Sequence, residues 1–276
     1  MTNRLFGLLL FAILLVSAPS VLAVDGVILI NQNTSVNGIP GCPHAGFPIV
    51  ICQSGSYRLT GNLVNTDPNT TVINITADDV SLDLNGFAIS GPVTCNTFQI
   101  CSTATGAGIS SLNNSNITVK NGTVRGTGIG IALNGSAPSG KGLGQLIQEM
   151  HVSGNAGAGI FIVGGIVTHC VVTLNGGQGI TIFGSGIASF NSINHNAGDG
   201  IDLADTGMAS HNEVSFNGGN GIGGNGLAVN NTIMKNTGYG VAINAIRGNV
   251  IDLNNTGCFL FYNTSLGENS CNGFKF

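Results

Sequence analysis

The acidic residues of this chain gather in one short stretch that also carries histidines. The stretch contains Asp199, Asp202 and Asp205, flanked by His195, His211 and Glu213. Two carboxylates facing each other across a cleft act as acid and base in glycosidases, and carboxylate oxygens are the ligands of Ca²⁺. The catalytic candidates in the sequence are therefore Asp202, His211 and Glu213.

The local pattern argues against a catalytic set at these positions. Asp202 stands between two apolar residues that alternate with it, so its side chain is predicted to point outward. Asp199 and Asp205 are each an odd number of residues away, and in an extended chain they would not share its face. The sequence therefore predicts no catalytic site here, and single replacement of Asp202, His211 or Glu213 by Ala is expected to change neither binding nor hydrolytic activity.

The histidines are not expected to bind a metal. His169 and His211 occupy equivalent positions of a repeat with Phe190 between them. Two strand spacings separate them by about 9.6 Å, which is too far for one ion. No metal site and no cofactor is therefore predicted, and Ca²⁺ would be required only if the protein were a lyase.

A glycine-rich repeat must position all of these residues. The pattern Gly-x-Gly followed by Ile or Val recurs every 19 to 29 residues, at Gly106, Gly128, Gly157, Gly177, Gly198, Gly219 and Gly238. Each glycine pair is followed by alternating apolar residues such as Ile180 and Ile182, then by a turn and a second short strand. A repeat of about 20 residues that joins short strands by tight turns is one coil of a solenoid.

A helical repeat does not fit this composition. The chain has 44 glycines among 276 residues, and glycine, asparagine and β-branched residues all weaken helices. The pattern therefore predicts an all-β, single-stranded parallel β-helix, with the right-handed crossover that such connections favour.

Two series of asparagines recur in register with the coils. They are predicted to stack as ladders, in which each side-chain amide donates to one neighbouring coil and accepts from the other. The first series is Asn155, Asn175, Asn196, Asn217 and Asn236, and the second is Asn191, Asn212 and Asn231, which Asn249 continues. Cys170 falls at the second position of its own coil, so it is interpreted as a buried, inert thiol at the end of that ladder.

Six of the seven cysteines form close sequential couples. The simplest connectivity is Cys42–Cys52, Cys95–Cys101 and Cys258–Cys271, although six cysteines allow fifteen pairings. A zinc site is the alternative, but no Cys-x-x-Cys pair occurs.

The early coils and the opening strand resemble those of bacterial exported right-handed β-helix repeat proteins. The resemblance rests on Gly26–Asn31, on Ala77–Gly86, on the coil period and on the asparagine series. It implies the pectin-lyase-like superfold, which hosts lyases, glycosidases, adhesins and exported proteins of unknown role, and whose lyases use Ca²⁺ with a basic residue. Fold alone assigns no activity.

The ends of the chain differ from the repeats. The first residues are typical of a cleaved signal peptide. Arg4 is followed by an apolar run from Leu5 to Val16 and by a small-residue stretch that ends at Ala23. We therefore expect residues 1–23 to be a signal peptide and 24–105 an N-terminal cap with irregular first coils. Regular coils are expected over 106–257 and a C-terminal cap over 258–276, with no membrane span after cleavage.

The composition restricts the partners. Eight basic residues against twelve acidic ones cannot form the basic groove that nucleic acids require. The sequence favours a secreted, periplasmic or cell-surface protein that is a non-catalytic scaffold or surface-interaction protein, with a polysaccharide or a cell-surface component as partner. The alternatives are a polysaccharide lyase or glycosidase, and a carbohydrate-binding module, although the chain has no Trp and only three Tyr.

Overall fold

The computed structural model describes residues 26–42, 44–96, 100–135, 142–259 and 264–276. These residues contain one short helix, α1 (Thr34–Asn37), and 28 strands. The predicted signal peptide, residues 1–23, lies outside them. Within the described ranges, no helix has the length and apolar character needed to cross a membrane.

The strands are short and follow one another along the whole chain. Strands β1–β9 are Val27–Ile30, Ile49–Ile51, Gly55–Leu59, Leu63–Val64, Ile73–Ile75, Val80–Asp83, Ala88–Ser90, Ala107–Leu112 and Thr118–Arg125. Strands β10–β18 are Ile129–Asn134, Gln145–Ser153, Ile160–Thr168, Val171–Thr173, Ile180–Ser189, Ser192–Asn194, Ile201–Leu203, Met208–Ser210 and Glu213–Ser215. Strands β19–β28 are Ile222–Gly224, Leu227–Val229, Thr232–Met234, Tyr239–Ala242, Ala245–Arg247, Val250–Asp252, Gly257–Phe259, Thr264–Ser265, Ser270–Cys271 and Phe274–Lys275.

Each strand pairs in parallel with the strand one coil later, and three sheets result. The first sheet runs through β2, β5, β8, β10, β12, β14, β16, β19, β22 and β25. The second passes from β1, β3 and β6 through the first halves of β9 and β11 and the later halves of β12 and β14 to β17, β20, β23 and β26. The third follows β4 and β7, the later halves of β9 and β11, and then β13, β15, β18, β21, β24 and β27. The predicted parallel β-helix is confirmed.

The core is a column of branched aliphatic side chains inside the three sheets. Ile160, Ile180, Ile201 and Ile222 stack directly on one another in the first sheet and are fully buried. The second glycine of each repeat signature is required by close packing against this column. A Cβ on Gly179 would collide with the side chains of Ile193 and Asn196, so the glycine leaves room for the ladder amide.

The first asparagine ladder lies in the turn between the third and first sheets. Its amides form an unbroken series of Nδ2 to Oδ1 hydrogen bonds of 2.8–3.0 Å through Asn155, Asn175, Asn196, Asn217, Asn236 and Asn254. Thr127 donates its backbone and hydroxyl hydrogens to Asn155 and so begins the series. The sequence prediction of this ladder is confirmed, and Asn254 extends it by one coil.

The second ladder lies in the turn between the second and third sheets. It joins Asn191, Asn212, Asn231, Asn249 and Asn269 by Nδ2 to Oδ1 hydrogen bonds of 2.9–3.1 Å. The backbone N–H of Cys170 donates to Asn191 at 2.9 Å, so this cysteine stands at the start of the ladder as predicted. Burial raises the pKa of the Cys170 thiol to about 12.

The three disulfides have the predicted local pairing, Cys42–Cys52, Cys95–Cys101 and Cys258–Cys271. The domain limits at 105 and 257 stay predictions. Beyond residue 257 the strands β25, β26 and β27 still pair in parallel with the preceding coil. Only β28 pairs antiparallel, with β27. Stacking therefore continues to Cys271, and the hairpin β27–β28 ends the third sheet.

We expect Asn196→Ala to cause a large loss of stability, because Asn196 belongs to the first ladder. Asn196 is fully buried, and its amide accepts from Asn175 and donates to Asn217, Val172 and Asn194. Because the change leaves buried groups on both neighbouring coils without partners, we expect a loss of about 2–4 kcal/mol in the free energy of unfolding. Asn196→Asp should be at least as damaging because it removes the donor and buries a charge. Denaturant unfolding measures both.

The matched control is Asn194→Ala in the same coil. The Asn194 side chain is only partly buried and accepts from Thr173, so its loss should cost less than about 1 kcal/mol. Equal effects at the two positions would contradict the assigned register.

Cys170 should be inert toward thiol reagents in the folded protein. Its side chain is 1 % exposed, and a thiol with a pKa of about 12 has almost no thiolate at pH 8. We expect one labelled thiol per chain after unfolding without reductant, and none before. Stoichiometric labelling of the native protein, detected by intact mass, would refute the buried position.

Candidate functional site

Asp202 lies on the outer face of the first sheet, in strand β16. In the row that contains it, Phe161, Thr181, Asp202 and Gly223 are direct neighbours in successive coils. Thr181 is buried, while Phe161 and Asp202 are half-buried. We call these four residues, with Phe183 and Asp199, the first-sheet site.

Asp199 belongs to this site, and the prediction that it faces away from Asp202 is wrong. Its carboxylate occupies the space where a Cβ of Gly223 would lie, directly beside the coil neighbour of Asp202. Strand β16 begins only at Ile201, so the residues before it form a turn, and the alternation of an extended chain does not apply to them. The coil thus brings the Asp199 and Asp202 carboxylates together on one face. The Asp205 carboxylate instead accepts from the backbone N–H of Gly184 at 3.3 Å.

Asp199 also has a structural role that repeats in the next coil. Its Oδ1 accepts from the backbone N–H of Asn220 at 2.6 Å, and the Asn220 Oδ1 accepts from the backbone N–H of Tyr239 at 3.0 Å. Asp199, Asn220 and Tyr239 occupy the middle position of successive Gly-x-Gly signatures. These contacts fix the Asp199 carboxylate against the following coil.

Asp202 differs from Asp199 in its pKa and in its hydrogen bonds. Partial burial raises the pKa of the Asp202 carboxyl, and the negative charge of Asp199 raises it further. Among the described residues the Asp202 side chain makes no hydrogen bond and no ion pair. One carboxylate is therefore held by hydrogen bonds, while the other is available to a ligand and holds its proton to higher pH than usual.

Two phenylalanines lie beside Thr181: Phe161 is its coil neighbour, and Phe183 follows it by two residues in β14. The rings of Phe161 and Phe183 contact each other across the coils with centroids 5.3 Å apart and planes tilted by 38°. Phe183 is 40 % exposed. Aromatic rings and carboxylates on one surface offer apolar contact and hydrogen bonding to the same ligand.

The other two catalytic candidates lie elsewhere. His211 lies at the corner between β17 and β18, where its ring stacks on Phe190 with centroids 5.0 Å apart. Glu213 is exposed on the third sheet, in β18. Phe190 also stacks on His169, so its ring separates the two imidazoles as the repeat predicts. Within the described ranges no group of three or more His, Cys, Asp or Glu residues is placed to hold a metal.

The sequence contained signals for the residues that its interpretation missed. Phe161 alternates with Ile160 and Ile162, which indicates an outward position in the same row as Asp202. Asp199 matches Asn220 in the repeat, which indicates a shared hydrogen-bonding role. Neither signal follows from Asp202 alone, because both depend on the register between coils.

The raised pKa of Asp202 predicts how Asp202→Asn changes stability with pH. A carboxyl whose pKa is higher in the folded protein than in the unfolded chain stabilises the fold while protonated and loses that contribution as pH rises. Asp202→Asn should therefore raise the free energy of unfolding at pH 7, by less than about 1 kcal/mol because the group is half-exposed. The difference should shrink toward pH 4, near the ordinary Asp pKa. Urea unfolding at several pH values tests this, and a variant less stable than the wild type at pH 7 would contradict it.

A comparison with protein families identifies the repeat region. The model of the family described as right handed beta helix region matches residues 60–218, which is more than half of the chain. No curated protein sequence matches the chain.

Several solved structures share the fold at low sequence identity. A double mutant of the periplasmic alginate epimerase AlgG is 17% identical with a TM-score of 0.55, over 78% of this chain and 68% of that chain. The A-module of the Azotobacter vinelandii mannuronan C-5 epimerase AlgE4 is 16% identical with a TM-score of 0.54, over 78% and 79%. The Dettilon tailspike protein is 15% identical with a TM-score of 0.55, over 74% of this chain and 46% of the tailspike. With this coil register, these pairings and the matched family model, the chain belongs to the right-handed β-helix family.

Proposed function

We propose that this protein is an exported, non-catalytic β-helix that binds a polysaccharide on the outer face of the first sheet. The observation that carries the proposal is the row in which Thr181 lies between Phe161 and the unpaired carboxyl of Asp202, with the Phe183 ring against that of Phe161. Sugars present both apolar C–H faces and hydroxyl groups, and this row offers a partner for each.

The geometry of the row suits an extended ligand better than a compact one. Successive coils repeat the outward position at the strand spacing of about 4.8 Å, so the polar and aromatic groups follow the solenoid axis. Aromatic surface with few placed polar groups is typical of ligand sites. The Asp202 carboxyl accepts hydrogen bonds from hydroxyls when ionised and donates one when protonated.

Features outside the site support an exported carbohydrate-binding protein. The three disulfides are typical of oxidising compartments outside the cytosol. Two of the similar structures are of an alginate epimerase and a mannuronan epimerase, and the AlgG epimerase is described as periplasmic. Their shared fold makes a polysaccharide a reasonable partner for this chain, although their identity to it is too low to transfer an activity.

A second candidate function is acid–base catalysis on the same polysaccharide. It is favoured by the difference between the Asp199 carboxylate, which accepts two hydrogen bonds from Asn220, and Asp202, whose pKa is raised. Pairs of carboxyl groups in such unequal environments are typical of an acid and a base. Asp199 is, however, held by the following coil, and the same contact recurs between Asn220 and Tyr239 without a charge.

The binding proposal predicts that Phe183→Ala weakens polysaccharide binding. A panel containing alginate, pectin and neutral glucans is to be screened by affinity electrophoresis, and the best ligand measured by calorimetry. Loss of one exposed ring from the site should weaken binding about fivefold to tenfold, as for an aromatic contact of about 1 kcal/mol. The matched control is Phe216→Ala, in the turn that follows β18. Phe216 is 46 % exposed, close to the 40 % of Phe183. Equal loss for both variants, or no retention by any polysaccharide, would refute the proposal.

The same panel separates binding from turnover. If the protein only binds, no new reducing ends, no absorbance near 235 nm and no change in uronate configuration by NMR should appear. Asp202→Ala should then alter affinity alone, while His211→Ala and Glu213→Ala should leave affinity unchanged. Turnover by the wild type that Asp202→Asn abolishes would establish the catalytic alternative instead.

A further inference from the structure

We propose that a cavity beside Arg125, on the third sheet, binds a sugar acid, meaning a polyhydroxylated ring of sugar size that carries a carboxylate. The cavity has a volume of about 440 Å³, within the range of about 300–1,000 Å³ that small-molecule sites occupy. It lies on a different face from the first-sheet site, and the inference does not depend on the function proposed there.

The walls of the cavity come from the coils and from residues 91–96, which the Cys95–Cys101 disulfide anchors and which we call the disulfide-closed segment. After Gly91 the chain leaves the coil, and the Cys95–Cys101 disulfide closes this segment. Both sulfurs lie within 4 Å of the Asn155 carbonyl oxygen, one at 3.9 Å and one at 3.6 Å. Val93, Cys95 and Leu174 contribute apolar wall. The contacts of the two sulfurs with Asn155 hold the segment over the turns of later coils. The cavity lies between the segment and these turns.

The floor of the cavity is open because of Gly154. In the following coils the same backbone position carries Leu174, His195 and Phe216, with φ of 58°, 53° and 57°, and Gly154 has φ of 62°. Since other residues adopt this conformation there, it does not require the glycine. A Cβ on Gly154 would meet nothing within 4 Å. The missing side chain therefore leaves a space that its successors fill.

Packing explains the glycine at Gly126, one coil earlier, but it does not explain Gly154. A Cβ on Gly126 would lie 2.7 Å from the Gly91 carbonyl oxygen, so packing of the disulfide-closed segment requires that glycine. No such contact explains Gly154. Its effect in the structure is to keep the cavity open.

Arg125 gives the cavity its preference for an anion. Its Nε donates to the Ser90 hydroxyl at 3.2 Å, which fixes the guanidinium plane. Among the described residues, ion pairs join Arg58 to Asp83 and Arg247 to Glu268, and none involves Arg125. A fixed guanidinium with free terminal N–H groups matches the two oxygens of a carboxylate.

The rest of the lining points to a sugar ring. The Ser153 hydroxyl lies in the wall, where it can exchange hydrogen bonds with ligand hydroxyls. The disulfide, Val93 and Leu174 provide the apolar surface that a sugar's C–H face requires. A bare inorganic anion would use Arg125 and leave this surface without a partner, so the lining favours a carboxylate on a ring.

The test is calorimetry and saturation-transfer NMR of the full chain with D-glucuronate, compared with D-glucose, acetate and inorganic phosphate. Glucuronate should bind, and Arg125→Gln should weaken its binding tenfold or more, as expected for a hydrogen-bonded charge pair. Gly154→Leu should weaken it at least as much, because it copies the side chain of the next coil into the open space. Thermal unfolding is expected to show that this variant folds.

The controls separate this site from others and from simple charge effects. Lys235→Gln removes the same charge from the turn after β21, where Lys235 lies over the Phe216 ring. It should leave affinity unchanged, as should Phe183→Ala in the first-sheet site. No binding of glucuronate, equal binding by acetate or phosphate, or unchanged affinity in Arg125→Gln would each overturn the proposal. Because Arg125 is exposed, Arg125→Gln tests it even if Gly154→Leu fails to fold.

Discussion

From Asn155 onward, each coil of this protein depends on a buried side-chain amide whose partners lie largely in the adjacent coils. The ladder asparagines are at most 3 % exposed, from Asn155 to Asn249, and a buried amide without partners costs more than a hydrogen bond returns. An asparagine one coil away, in the same orientation, supplies both the donor and the acceptor. This requirement explains why turn residues, which vary freely in many proteins, repeat here as regularly as the aliphatic core.

The same requirement shapes the outer surface. The ladders hold the turns in left-handed backbone conformations, and non-glycine residues such as His195 and Phe216 accept them. Their rings then stack directly above one another, 5.0 Å apart, and so produce rows of rings along the axis. The two proposed ligand sites lie where this regularity is interrupted: at Gly223, which admits the Asp199 carboxylate, and at Gly154, which leaves a cavity beside Arg125.

The fold could be predicted from the sequence because its determinants are periodic. The Gly-x-Gly signatures, the alternation of Ile180 with Ile182 and the asparagine spacing all depend on residues within one coil or its neighbour. The candidate sites could not be predicted in the same way. Alternation along a strand places Asp199 on the wrong face, because Asp199 lies in the turn before the strand that contains Asp202. The direction of a side chain in such a turn cannot be predicted from alternation. The cavity at Arg125 depends on how a segment of low periodicity, closed by Cys95–Cys101, lies over coils that are remote in sequence.

The direction of the ladders has a consequence for how the molecule is organised as a lattice. Each amide donates toward the next coil and accepts from the previous one, so the coils are related by translation along the axis, like the cells of a one-dimensional crystal. Addition or removal of one whole cell preserves all internal neighbours, and the cells need not be identical, because 18 to 21 residues separate successive amides of the unbroken first ladder. Such an array has a stability that is the sum of cell and interface contributions. The length of this solenoid is therefore free to vary by whole coils, while each coil keeps its amide at the same corner.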